Sequence, residues 1–156
     1  MAPHHARTIH KVFIDSSVFF AAAYSVNGSA HDLLQAGLLG RVTLVISDFV
    51  LEETERNLAE NAPGALPAFR LLLSSLSFVL AKPTKQQITR GESVVDRKDA
   101  SIVAGAKAGR ADMLATYDRK HLLAHSAAIE RALGVRVATP DEVLRILGTQ
   151  EKEPAA

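Results

Sequence analysis

The chain has 156 residues, of which 47% are apolar and 22% charged, the balance of one globular domain large enough to bury its own core. A formal charge of +1 gives no global basic field, so any nucleic-acid contact has to rest on local patches. The absence of Cys excludes disulfides, thiolate zinc sites and a cysteine nucleophile, and with 5% aromatics and no Trp the interior falls to Leu, Val, Ile and Ala.

Residues 1–10 read as a flexible tail, and the pair His4-His5 in it as incidental. The basic segment followed by VFIDSSVFFAAAYSV has the outline of a signal peptide, but Asp15 interrupts the apolar run, which is also too short to span a bilayer. A cytoplasmic protein with no membrane attachment is expected. Lys11–Ile14 forms a short strand ending on Asp15, and Ser16 or Ser17 offers an N-cap for a helix over Val18–Tyr24. After the Asn27-Gly28 turn, a helix over Ala30–Leu39 leads to a strand at Val42–Ile46 that closes on Ser47. A helix from Asp48 to Asn61 carries Val50, Leu51, Thr54 and Leu58 as its buried stripe, and Ala62-Pro63-Gly64 breaks it.

The second half continues the alternation. A Leu-rich helix at Pro67–Leu76, a short strand at Phe78–Leu80 and a helix at Lys85–Val94 are followed by a helix over Asp99–Ala108, stopped by Gly109. Met113–Ala115 is a buried strand, His121–His125 and Ala127–Leu133 are short helices, Val135–Ala138 is a last strand and Pro140–Leu147 a last helix. One domain over residues 11–148 is expected, with a second flexible tail at 149–156 and no internal repeat. Strands alternating with helices indicate an α/β fold with a mostly parallel central sheet. Such folds bind ligands beyond the carboxyl ends of their strands.

Three stretches bring acids to that edge. Asp15 ends the first strand, Asp118 follows the fourth, and Asp99 sits at the N-terminal end of an apolar stripe with Ile102, Val103 and Ala106. Each has an ordinary alternative as a turn, cap or helix-dipole residue, and Asp96 reads first as a cap. Yet an unpaired acid on an inward face costs several kcal/mol or takes up a proton, which favours a partner or a ligand. Glu52, Glu53 and Glu55 are less informative: Glu52 lies opposite the apolar stripe, Glu53 and Glu55 flank it, and periodicity does not choose between them. His121 and His125 have metal-ligand spacing on a helix, but HLLAH supplies neither a third ligand nor a Glu between them, so a structural or solvent role is the simpler reading. Oxygen ligands without Cys suit Mg²⁺ or Mn²⁺. Two such ions about 4 Å apart activate water and stabilise the leaving oxygen of a phosphodiester. Arg97-Lys98 and Arg119-Lys120 beside the acids would form a cationic rim for a phosphate backbone.

Taken together these segments resemble the PIN domain, the nuclease fold of VapC-type toxins and related ribonucleases, along nearly the whole chain from VFIDSSVFF to VATPDEVLRIL. The family's first motif is matched by Asp15-Ser16-Ser17, its second by SDFVLEETERNL, its third by DRKDASIVAGA and its fourth by LATYDRKHL. The resemblance implies a three-layer α/β/α fold and a Mg²⁺- or Mn²⁺-dependent endoribonuclease acting on single-stranded RNA. It puts Asp15, Glu53, Asp99 and Asp118 on the metal, with Glu52 in reserve for Glu53 and Asp96 as auxiliary. Ser16 and Thr116 would orient those carboxylates, and Arg97, Lys98, Arg119 and Lys120 would contact substrate. A small antitoxin partner and a homodimer are also implied. Two positions depart from the pattern: Ser17 stands where many members have Asn, and Tyr117 where many have Gly, which would narrow or line the substrate groove. A non-catalytic module of the same fold, binding RNA or a protein, would be marked by a missing acid, and none is missing. A phosphoacceptor receiver domain would need an acidic pair after the first strand, where this chain has Ser-Ser.

Overall fold

Val12, Phe13 and Ile14 have no exposed surface, because strand β1 (Lys11–Ile14) lies between two parallel neighbours with helices over both faces of the sheet. That placement explains an uninterrupted apolar run where a half-exposed strand would alternate. The computed structural model describes residues 9–152, with side chains through residue 148. From β1 the chain continues through α1 (Ser16–Tyr24), α2 (Ser29–Leu38), β2 (Thr43–Ser47), α3 (Asp48–Asn61), α4 (Leu66–Ser75) and β3 (Val79–Ala81). Then come α5 (Lys85–Glu92), α6 (Arg97–Ala108), β4 (Met113–Ala115), α7 (Ser126–Leu133), β5 (Arg136–Ala138) and α8 (Pro140–Lys152). The fold is a three-layer α/β/α sandwich, as expected.

The sheet order is β3-β2-β1-β4-β5, and every pairing is parallel. The chain therefore winds outward from β1 through β2 to β3, then returns to the other side of β1 for β4 and β5. The order reverses between β1 and β4, where the flanking loops part and leave a crevice at the carboxyl ends of the strands. Register brings the ends of those two strands level, with Ile14 beside Ala115. Whatever follows each of them is delivered to one place.

Helix α6 lies across the sheet through a face of small residues. A Cβ at Gly105 would meet the Phe13 ring at 3.0 Å, and one at Gly109 would overlap Val45 Cγ1 outright. Gly109 ends the helix with an ordinary φ of −79°, so close packing and not left-handed backbone accounts for it. Gly109→Ala is expected to destabilise the domain by roughly 1–3 kcal/mol, the usual cost of overpacking a core, measurable by urea unfolding. Over the other helices, Phe19 anchors a small aromatic cluster with Phe69 and Phe78, its ring centroid 4.8 and 5.7 Å from theirs.

Local details depart from expectation in a few places. Helix α1 starts at Ser16, and its N-cap is Asp15, whose carboxylate accepts from the Ser16 N–H at 2.8 Å; neither serine is the cap. In place of a helix over His121–His125 there is a 3-10 turn at Leu123–His125. Helix α8 runs to Lys152, past Leu147. The expected flexible tails fall mostly on residues 1–8 and 153–156, outside the described residues.

Candidate active site

Asp15 leaves the end of β1 only 5% exposed. Three hydroxyls and one amide hold it: Thr116 Oγ1 donates to Oδ2 at 2.7 Å, Ser17 Oγ to the same oxygen at 3.0 Å, Ser16 Oγ reaches Oδ1 at 3.5 Å, and the Ser16 N–H caps Oδ1. Thr116, fully buried just after β4, also accepts the Asp118 N–H at 3.0 Å. One hydroxyl therefore ties the acid of β1 to the acid that follows β4. Ser17 repeats the link on the other side by accepting the Tyr117 N–H at 3.1 Å.

Ser47 closes β2 and caps α3 by accepting the Val50 N–H at 3.3 Å, which sets the helix so that Glu53 faces Asp15. Ser16 Oγ donates to Glu53 Oε1 in a short hydrogen bond. Asp99 sits in the first turn of α6, with Asp96 at the N-cap position but making no side-chain cap. Asp15, Glu53, Asp99 and Asp118 all line one cleft of about 670 Å³, together with Ser16 and Lys98. Glu52 is exposed and outside it. Asp96, Arg97, Arg119 and Lys120 are also exposed and do not line it, and Arg97 is engaged with Glu92 at 3.8 Å. Of the four cations proposed for the rim, only Lys98 reaches the cleft.

His121 is the residue that sequence spacing misses. It lies in the cleft, donating its N–H to Asp118 Oδ1 at 3.0 Å, with Nδ1 3.3 Å from Oδ2. His125 is exposed, and the 3-10 turn keeps the two rings from sharing a helix face. A signal for His121 did exist, three residues after an acid that itself needed a cationic or donor partner.

The electrostatics are those of crowded acids. Burial pushes the Asp15 carboxyl above its ordinary value and Glu53 adds to this, while the hydroxyls and the Ser16 N–H pull it back. Burial also raises Asp99; Asp118 and Asp96 add to it, and His121 and Lys98 oppose it. Asp99 Oδ2 is buried with no hydrogen-bond partner. An acid with a raised folded pKa carries a penalty that is complete above that pKa and vanishes as the pH falls into the ordinary carboxylate range. Protein in chelator is therefore expected to melt at a higher temperature in mildly acidic buffer than at neutrality, with a smaller difference in Asp99→Asn. Thermal melts followed by circular dichroism test this.

Among the described residues no three acidic or histidine side chains stand close enough together to make a ready-formed ion site. The donor chemistry nevertheless fits a hard divalent cation: four carboxylates in one cleft, two of them strained toward protonation, and one buried oxygen left without a partner.

The profile of the PIN domain matches residues 11–120, well over half of the chain. Among solved structures, PAE2754 from Pyrobaculum aerophilum superposes with a TM-score of 0.61 at 18% identity, covering 90% of each chain. VapC20 of Mycobacterium tuberculosis, described as a sarcin-ricin loop cleaving toxin, superposes with a TM-score of 0.51 at 19% identity, covering 75% of this chain and 94% of its own. At such identities the likeness is one of fold. No curated protein matches the sequence.

Proposed function

The chain belongs to the PIN domain family, whose members are generally nucleases using divalent metal ions, and from that premise we propose that it is a Mg²⁺- or Mn²⁺-dependent endoribonuclease of the toxin type, cleaving single-stranded RNA. The observation that carries this reading is the convergence of Asp15, Glu53, Asp99 and Asp118 on one cleft at the reversal of the sheet order. A cation bound there would supply positive charge to the phosphate oxygens and lower the pKa of an attacking water. Asp15, Glu53, Asp99 and Asp118 would hold it, and Asp96, near enough to Asp99 to act on it electrostatically, would assist through its charge.

The remaining residues set the geometry. Thr116 and Ser17 fix the Asp15 carboxylate, Ser16 turns Glu53 toward it, and His121 steadies Asp118. Groups behind the ligands tune a metal site in this way. Lys98 offers an ammonium to a non-bridging phosphate oxygen, with Arg97, Arg119 and Lys120 meeting the strand farther out. A small antitoxin, a homodimer and a cytoplasmic setting belong to the same reading; VapC20, a toxin by its description, supports the first of these. No helix among the described residues is long and apolar enough to cross a membrane.

Glu53→Gln is expected to reduce Mn²⁺-dependent cleavage of a fluorogenic single-stranded RNA by roughly a hundredfold, the top of the tenfold to hundredfold range typical of a supporting residue. Glu52→Gln should leave the rate within about twofold, since its side chain is outside the cleft. Equal loss in both, or in neither, would remove Glu53 from the site.

A further inference from the structure

Helix α3 presents one continuous edge to the cleft. Phe49, Glu53, Asn57 and Asn61 recur every four residues and all four line it, an edge about 18 Å long at 1.5 Å per residue. Phe49 is 37% exposed in the first turn, although its neighbour Val50 and Leu58 farther along are wholly buried. Packing does not require a large ring there. Among the described residues nothing partners the Asn57 amide. Asn61 Nδ2 donates to the Asn57 backbone carbonyl at 3.1 Å, and Asn61 is itself exposed.

Tyr117 lines the same cleft from the β4 side, 39% exposed. Sheet order puts β2, and α3 after it, on one side of Asp15 and β4 on the other, so Phe49 and Tyr117 flank the acids from opposite sides. The Ala30 backbone amide at the start of α2 lies near the Tyr117 hydroxyl.

Among the described residues Lys98 is the one lysine or arginine lining the cleft, so apart from an ion held by the acids the cleft itself offers little positive charge to a phosphate backbone. Contacts that do not depend on the strand's charge then add to its affinity. Rings that stack on base faces and amides that bond base edges are such contacts, and they are available only where bases are unpaired.

We infer that the α3 edge is a base-binding track for single-stranded RNA: Phe49 stacks on an unpaired base beside the acids, and Asn57 and Asn61 hydrogen-bond the bases that follow, with Tyr117 as the opposite wall. The track rests on the nuclease reading for its substrate class, but it is testable without cleavage.

Because the chain has no Trp, Phe49→Trp installs a single fluorescent reporter. In an Asp99→Asn background, which is expected not to cleave, a single-stranded RNA oligonucleotide should quench that reporter, whereas a duplex or an abasic strand of the same length should quench it little. In the otherwise wild-type enzyme, Phe49→Leu should raise KM roughly tenfold or more, the range found when a stacking ring is removed, with kcat changed much less. Asn57→Ala should raise KM by a smaller factor in the same sense. Binding detected by anisotropy with no quenching, and wild-type KM in both variants, would overturn the track while leaving the nuclease intact. Quenching by intact strands from a protein that cleaves nothing would uphold the track and sink the hydrolytic reading. Failure of any strand to bind would overturn the track whatever the acids do.

Discussion

Asp99→Asn is expected to lose RNA cleavage by on the order of a hundredfold or more, exceeding the effect of a residue that only supports a ligand, while melting no lower than the wild type. The two halves of that result have one cause. Asp99 Oδ2 is buried without a hydrogen-bond partner, beside Asp118 and Asp96. At neutral pH the ionised group is therefore a burden on the fold, tolerated because a cation can use the charge. An amide keeps the shape and removes the charge, so ligation suffers and repulsion is relieved. A small loss of favourable dipole interaction in the first turn of α6 works the other way, at about 0.3–1 kcal/mol. Steady-state cleavage and a thermal melt of the same preparation check both halves. A variant that cleaves normally would take Asp99 out of the metal set, and a strongly lowered melting temperature would mark it as a structural cap.

Thr116→Val should be costly to both stability and activity. The side chain is fully buried, and valine matches its shape, so no cavity forms. What disappears is the 2.7 Å hydrogen bond to Asp15 Oδ2 and the acceptor for the Asp118 N–H. A hydrogen bond to a charged group contributes roughly 1.5–3 kcal/mol, and a partly buried N–H left without its acceptor adds to the loss, so a destabilisation of about 2–4 kcal/mol is expected. Cleavage should fall roughly tenfold to a hundredfold as Asp15 and Asp118 lose their common anchor. Thr116→Ser, which restores the hydroxyl, should recover most of the activity while losing a methyl's worth of packing. Urea unfolding and kcat for the two variants separate the hydroxyl's role from simple core packing; an undamaged Thr116→Val beside a damaged Thr116→Ser would assign Thr116 to packing alone.

Much of this site was legible in the chain because acids interrupt apolar runs. Asp15 and Asp118 mark the ends of strands that are buried on both faces, and parallel register alone brings those ends level. Asp99 was legible by the same contrast, an acid on the stripe of Ile102, Val103 and Ala106. Periodicity did not single out Glu53, because it flanks the apolar stripe of α3 much as Glu55 does, and the resemblance alone selected it. In the fold its contact with Ser16, thirty-seven residues earlier, and its place in the cleft distinguish it. His121 was hidden for a different reason: HLLAH invites a helical reading, and the chain makes a 3-10 turn instead, so the partner of His121 is Asp118 and not His125. Asp15 capping its own helix was likewise obscured by two serines that looked like better caps. The edge formed by Phe49, Asn57 and Asn61 needed the neighbouring wall before its exposure meant anything.

Whether the four acids form a metal-dependent nuclease site is decided by cleavage of a fluorogenic single-stranded RNA by chelator-treated protein as Mn²⁺ is added back, with calorimetric titration of Mn²⁺ alongside for wild type and Asp99→Asn. No cleavage is expected without the ion, saturable cleavage with it, and loss of both cleavage and tight Mn²⁺ binding in the variant. Cleavage that persists in chelator, or a wild-type protein that binds no Mn²⁺, would contradict a metal-dependent site.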